Sequence, residues 1–229
     1  MPHEKLSLEQ IVRAAVQILD TEGVGGLNLR RLGAELGVAP SALYWHVRNK
    51  DDLIVLAGDH VWNEVDLPQA DQLGWQTAIV ALASSVRRML TNHFWLVTTM
   101  STHVIYGPGK ARVDDHSLGI YESAGFTAAQ ADQVAATVLM FVIGAAQGDA
   151  SERTWQARVR RSGADEHAAL QAAIDEINAV AQQFPRLRDR QLPSTPPAGD
   201  QDPFRFGLQV ILDGLQASLI NGSAHPLTE

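Results

Sequence analysis

A chain of 229 residues, 45% hydrophobic and without cysteine, can bury one large core or two smaller ones, and it can form neither disulfides nor thiolate metal sites. Its 26 acidic and 18 basic residues give a net charge of -8, which argues against indiscriminate nucleic-acid binding but leaves room for a local basic patch. No cationic N-terminus leads into an apolar run, and the apolar stretch Val134 to Ala146 falls short of the ~20 residues of a membrane span. A soluble, cytoplasmic protein with a buried helix at that stretch is expected.

The pattern predicts an all-α fold, since no period-two alternation is sustained. Ser7 and Gln10 form a capping-box pattern ahead of Leu8, Ile11, Val12, Ala15, Ile18 and Leu19, and Gly23 stops this first helix. Asn28 caps a short second helix carrying Leu29, Leu32 and Leu36, which Gly37 ends. Pro40 suits the first turn of a third helix, expected to run to about Val47. Asn49 caps a fourth, with Leu53, Ala57, Val61 and Val65 on one side and Trp62 near its end. The break Asp66-Leu67-Pro68 divides the chain into domains at residues 1–66 and 67–229.

Beyond it, helices are expected over Trp75 to Asn92, Phe94 to Tyr106, Arg112 to Ala124 and Ala128 to Ala150. The polar stretch Ser151 to Asp165 reads as mobile, Glu166 to Phe184 as amphipathic helix, and the proline-rich segment 185–203 as a long loop or disorder. A last helix spans Phe204 to Ile220. Its stripe of Phe204, Leu208, Ile211, Leu215 and Leu219 fits either a dimer interface or an intramolecular core.

Two short helices joined by a glycine-containing turn, after a longer one, make a helix-turn-helix. Between Asn28 and Lys50 the cations Arg30, Arg31, Arg48 and Lys50 face only Glu35. Leu43 and Val47 can bury on the first two helices, which points Ser41 and Ala42 at base edges. The rings of Tyr44, Trp45 and His46 then fan sideways, the phenol and imidazole as phosphate donors and the indole between core and backbone. Lys50 sits against the macrodipole in the first turn of its helix, where a docked phosphate would use both its charge and the free amides.

The run "LNLRRLGAELGVAPSALYWHVRNKDDL" resembles the DNA-binding domain of the tetracycline-repressor (TetR) family, and its Leu43 to Val47 stretch with Asn49-Lys50 is most similar to the tetracycline repressors proper. The resemblance implies a bacterial regulator. Arg30 would reach a base or nearby backbone, Pro40, Ser41 and Ala42 would read bases, and Tyr44, His46 and Lys50 would hold phosphates. At Ala39 and Pro40 the polar base-reading side chains of the tetracycline repressors are missing, so more apolar contact with thymine methyls is expected. The resemblance further implies that the fourth helix links this domain to a helical effector-binding and dimerisation domain, and that a small-molecule effector releases a homodimer from a palindromic operator.

Magnesium–tetracycline recognition is not expected. Leu82 and Val86 stand where those repressors hold an amide and an aromatic ring, and Gly148 replaces their metal-linked glutamate. His103 alone makes no magnesium site, so neither metal nor cofactor is expected. The effector pocket is expected to be apolar, lined by Leu82, Val86, Met89, Phe94, Met100, His103, Val104, Tyr121, Val138 and Phe141. A planar polycyclic compound and a fatty acyl chain both suit it. No His-Glu-x-x-His, G-x-S-x-G or phosphate-binding glycine loop is present, so no catalytic residues are assigned and no enzyme is expected. The alternatives are a regulator under protein control or without an effector, and, behind these, a helical carrier.

Overall fold

In a computed structural model the described residues, 6–163, 165–189 and 202–224, form helices and connecting turns, with no strand among them. Helix α1 (Leu8–Glu22) has the capping box at Ser7 and Gln10, and Gly23 closes it with a backbone N–H on Leu19 O. Its inner face, Ile11, Ala15, Ile18 and Leu19, is fully buried. Helix α2 (Leu29–Glu35) starts where Asn28 Oδ1 accepts from Arg31 N at 2.9 Å. Gly37 then takes φ 67°, a left-handed turn that favours glycine, and leads into α3.

Helix α3 (Pro40–Leu43) is shorter than the sequence suggests. His46 N and Val47 N both donate to Leu43 O, so Tyr44 to His46 form a turn and not a further helical stretch. The cause is Asn49: it must be extended to cap α4 (Lys50–Val61), where its side chain accepts from Asp52 N at 2.8 Å. Leu43 and Val47 anchor the turn in the core. Helix α4 packs on α1 and runs into a 3-10 turn, Trp62–Glu64, before the non-helical residues 65–69.

The second half comprises α5 (Ala70–Leu73), α6 (Trp75–Asn92), α7 (Phe94–Thr99), α8 (Pro108–Ser123), α9 (Ala128–Ser162), α10 (Glu166–Ala181), α11 (Pro185–Arg188) and α12 (Pro203–Ala224). Several boundaries differ from expectation, and a short helix, α11, opens the segment expected to be a loop. Helix α7 stops at Thr99, well before Tyr106. Helix α8 begins at Pro108, not Arg112, because proline is favoured at a helix start. Helix α9 continues through the polar stretch to Ser162, pinned by buried Ala150, Ala157 and Val159 and by Arg153 Nη1 on Thr91 O at 2.9 Å. Part of the proline-rich segment, residues 190–201, lies outside the described residues.

By length and composition α9 is apolar enough to cross a membrane. It packs instead on α6, α7, α8 and α12, while Met140 and Gly144 on its other side stay exposed. The expected burial of this helix is thus one-sided within a single chain. The stripe on α12 resolves similarly: Phe204 and Leu208 are intramolecular core, with Phe204 stacked on Phe141 at 5.6 Å between ring centroids. Phe206, Val210 and Ile220 form the exposed apolar side.

Candidate functional site

Around the helix-turn-helix, Arg30, Pro40, Ser41 and Tyr44 are exposed, Ala42 and His46 half-buried, and Trp45 is 90% exposed. Trp45 therefore does not pack into the core, contrary to the expectation that its indole bridges core and backbone. The two adjacent arginines divide: Arg31 pairs with Glu22, half-buried, and Arg30 remains without a protein partner among the described residues. The hydrogen bond and charge of Arg31 hold the Glu22 carboxyl below the usual carboxylate range. Arg48 is drawn to Asp52 at 2.8 Å. Lys50, expected to be free for a phosphate, donates from Nζ to Val24 O at 2.6 Å and so ties α4 to the α1–α2 loop. Two of its three N–H groups remain.

Helix α4 is locked to the start of α8. Asp59 Oδ1 accepts from Lys110 N at 2.9 Å and Oδ2 from Gly109 N at 3.1 Å, so a carboxylate of α4 caps the N-terminus of α8. Arg112 Nη2 returns the contact, donating to Val65 O at 3.0 Å and to Trp62 O and Asn63 O at 3.3 Å. The packing is so close that a Cβ on Gly58 would lie 2.8 Å from Ile105 in the loop before α8, and one on Gly109 would collide with the Asp59 carbonyl. "YGPGK" is thus a docking surface as well as a helix breaker.

Behind this junction lies a cavity of about 320 Å³ between α6, α8 and α9, with Trp62 at its α4 end. Ile79, Leu82, Ala83 and Val86 of α6, and Ala135, Val138, Leu139 and Val142 of α9, supply apolar wall. Helix α8 supplies the polar groups Lys110, Asp114, Ser117 and Tyr121, spaced four, three and four apart along one face. Lys110, only 7% exposed, pairs with Asp114. Its Nζ lies 4.9 Å from the Trp62 ring centroid and 6.0 Å from that of Tyr106. Burial pushes the Tyr121 phenol above its ordinary pKa. Neither the Trp62 indole N–H nor the Tyr121 hydroxyl has a partner among the described residues. No group of three His, Asp or Glu side chains among those residues is placed to hold a metal.

The family profile described as "Bacterial regulatory proteins, tetR family" matches residues 11–57, and that for "Tetracyclin repressor-like, C-terminal domain" matches residues 67–219. The chain belongs to the TetR family. It is 34% identical over 180 residues to an HTH-type transcriptional regulator of Saccharopolyspora erythraea, covering 79% of this chain and 75% of that one. It is 31% identical over 229 residues to the tetracycline repressor class A of Escherichia coli transposon 1721, covering 92% and 91%. The Streptomyces coelicolor TetR-family protein ActR, solved in complex with actinorhodin, superposes with a TM-score of 0.73 at 28% identity, covering 94% of this chain and 98% of ActR. This TetR-family chain is accordingly a DNA-binding transcriptional regulator and not an enzyme.

Within this TetR-family structure, Leu82, Val86, Tyr121 and Val138 do line the α6–α8–α9 cavity. The other six expected lining residues do not. Met89 is core beyond Val86, the last α6 residue on the wall. Phe94 lines a smaller cavity beside Gly23, at the seam with α1. Phe141 turns to Phe204 on α12. Because α7 ends early, Met100 and His103 follow it away from the cavity, and Val104 is 87% exposed. His103 lies 2.9 Å from Thr102 Oγ1 and 3.4 Å from Asp51 Oδ1, facing the start of α4. The polar lining that the sequence reading leaves out includes Lys110, Asp114, Ser117 and Asp132. Placing the helix start at Pro108 would have put Lys110, Asp114, Ser117 and Tyr121 on one stripe.

Proposed function

We propose that this regulator is a cytoplasmic homodimeric repressor that leaves a palindromic operator when a small, flat, mainly hydrophobic effector enters the α6–α8–α9 cavity. The observation that carries the reading is Trp62, which opens the turn directly after α4 and walls the cavity, while Lys50 begins α4 beside the reading head. One helix joins ligand to DNA. ActR, solved with a bound small molecule, and the cavity's apolar walls support a small, mainly hydrophobic effector, and of the two classes that suit it we take the flat one. The effector must bind the DNA-incompetent arrangement better than the competent one. Tilting α4 changes the separation of two reading heads that must match a groove repeat of about 34–36 Å.

We assign residues 1–66 to DNA binding and 67–229 to effector binding and dimerisation. The non-helical link at residues 65–69 supports that boundary. Arg30, Pro40, Ser41, Ala42, Tyr44, Trp45 and His46 form the DNA face, and Lys50 serves both as tether and as phosphate clamp. The exposed apolar sides of α9 and α12 support a dimer of four helices.

Fluorescence anisotropy with DNA flanking the protein's own gene, against a scrambled duplex and across a salt series, tests the reading. Specific binding, with a salt slope shallower by about one in Arg30→Ala, is expected. No binding to any DNA at low salt would overturn it.

A further inference from the structure

We infer that the effector carries a hydrogen-bond-accepting oxygen, a carbonyl or phenolate on the edge of its flat skeleton, and that Lys110 and Tyr121 select it. The inference rests on the α6–α8–α9 cavity being the effector site and says what chemistry that site demands.

The cavity has an apolar wall, and its polar lining sets the donors Lys110, Ser117 and Tyr121 beside two carboxylates, Asp114 and Asp132. Lys110 is buried with its ammonium against Asp114. One carboxylate answers one of its three N–H groups, and the faces of Trp62 and Tyr106 provide the rest of its surroundings. Tyr121, 1% exposed, presents a hydroxyl that no described residue pairs with. The Trp62 indole N–H is also unpaired but has almost no accessible surface, so Lys110 and Tyr121 are the donors a guest can reach. Leaving buried donors unmade costs more than a made hydrogen bond returns, so a cavity left in this state favours a guest that brings acceptors. An all-carbon guest would desolvate the ammonium further without compensating it.

Size and shape add to this. A volume of about 320 Å³ accommodates two to four fused rings, and facing walls of small and branched side chains on α6 and α9 suit a slab-like guest. Lys110 also couples recognition to the switch. Its backbone N–H is one of the two that Asp59 of α4 accepts, so an oxygen drawing the Lys110 side chain inward acts on a residue that docks α8 to α4.

The test compares fluorene with 9-fluorenone, tricyclic probes that differ by one carbonyl in place of a methylene, by equilibrium dialysis against the full-length protein without DNA. The ketone should bind about 10-fold more tightly than the hydrocarbon to wild type. In Lys110→Met that ratio should fall towards one, and in Tyr121→Phe it should fall several-fold, with fluorene affinity little changed. Because Lys110→Met also strands Asp114, circular dichroism checks its fold, and Tyr121→Phe, which preserves the ring, carries the test if it is unfolded. Equal affinities in wild type, or an unchanged ratio in the folded variants, overturns the inference and leaves the effector reading standing. Failure of both probes to bind at saturation overturns the cavity as a site for flat guests, and this inference with it; the operator-binding result stands independently.

Discussion

The Nδ1 atom of His93 lies 2.8 Å from Oδ1 of Asp20, joining the start of α7 to the reading-head helix α1. The other ring nitrogen lies 3.0 Å from Glu64 Oε2, at the end of the 3-10 turn that follows α4. Trp95 Nε1 donates to the same Asp20 oxygen at 2.7 Å. Two carboxylates facing both nitrogens call for two N–H donors, which only the imidazolium supplies. Burial opposes that charge, but the hydrogen bonds and charges of Asp20 and Glu64 outweigh it and raise the His93 pKa above the ordinary imidazole value. Three elements, α1, the turn after α4 and α7, are thus fastened by one titrating ring.

The junction should therefore weaken in alkali. With a folded-state pKa raised above the ~6.5 of free imidazole, the stabilisation is complete below about pH 6.5 and is lost as pH rises through the raised value. His93→Gln, which keeps a single donor, should lower stability by about 1–2 kcal/mol at pH 6, because Asp20 and Glu64 are exposed enough to regain water. Thermal unfolding followed by circular dichroism between about pH 6 and 9 should give a steeper fall for wild type than for the variant. Parallel profiles would remove His93 from the account.

If the cavity takes the effector, coupling to the reading head should run through Asp59 and Arg112, which fasten α4 to α8. Asp59→Ala leaves the Gly109 and Lys110 amides without their cap and should cost about 0.5–2 kcal/mol. Because Asp59 lies far along α4 from the DNA face, operator affinity should change little, while the effector concentration that releases DNA should rise. Titrating release for Asp59→Ala and Arg112→Ala measures this. Release at the wild-type concentration in both would mean that the signal bypasses the α4–α8 seam.

Trp45 and Leu43 should separate DNA contact from folding. Trp45 touches so little of the protein that Trp45→Ala should alter stability by less than about 0.5 kcal/mol. The same change should weaken operator binding, as read by anisotropy. Leu43→Ala should instead cost about 2–5 kcal/mol, since its side chain is wholly buried where α3 meets the core. Unaltered DNA affinity in Trp45→Ala would take the indole out of the interface.

The reading head was legible because its determinants are local. Asn28, Pro40 and Asn49 act on their own neighbours, and each starts a helix where the sequence places it. The cavity was only partly legible, because it gathers one face from each of α6, α8 and α9, and a late start for α8 drops the first turn of its face from view. Starting α8 at Arg112 hid Lys110, its buried cation. Apolar identity was a poor guide in the loop after α7, where Val104 faces solvent and Ile105, its neighbour, is packed on Gly58. Past Ala150 the sequence of α9 is polar to the eye, yet Ala157, seven residues on, continues its buried face.

Exposure on α12 yields the last prediction. Phe206 is 72% exposed and Val210, one turn further, is exposed beside it, whereas Phe204 and Leu208 on the opposite side are core. An apolar pair of this size on a helix already packed against α9 is the self-complementary surface that a two-fold dimer needs. Val210→Glu should leave the isolated subunit's stability within about 0.5 kcal/mol, since the side chain is exposed there. It should nevertheless separate the protomers, because the same carboxylates would be buried in apposition across the dimer axis. Sedimentation should then show a monomer for Val210→Glu and a dimer for wild type, with the wild-type melting temperature rising with concentration and the variant's staying flat. Operator affinity should drop as well, since one reading head engages one half-site. A variant that sediments with wild type would place the dimer contact elsewhere, on the exposed side of α9 around Met140 or on the apolar residues of α10, Ile174, Ile177 and Val180.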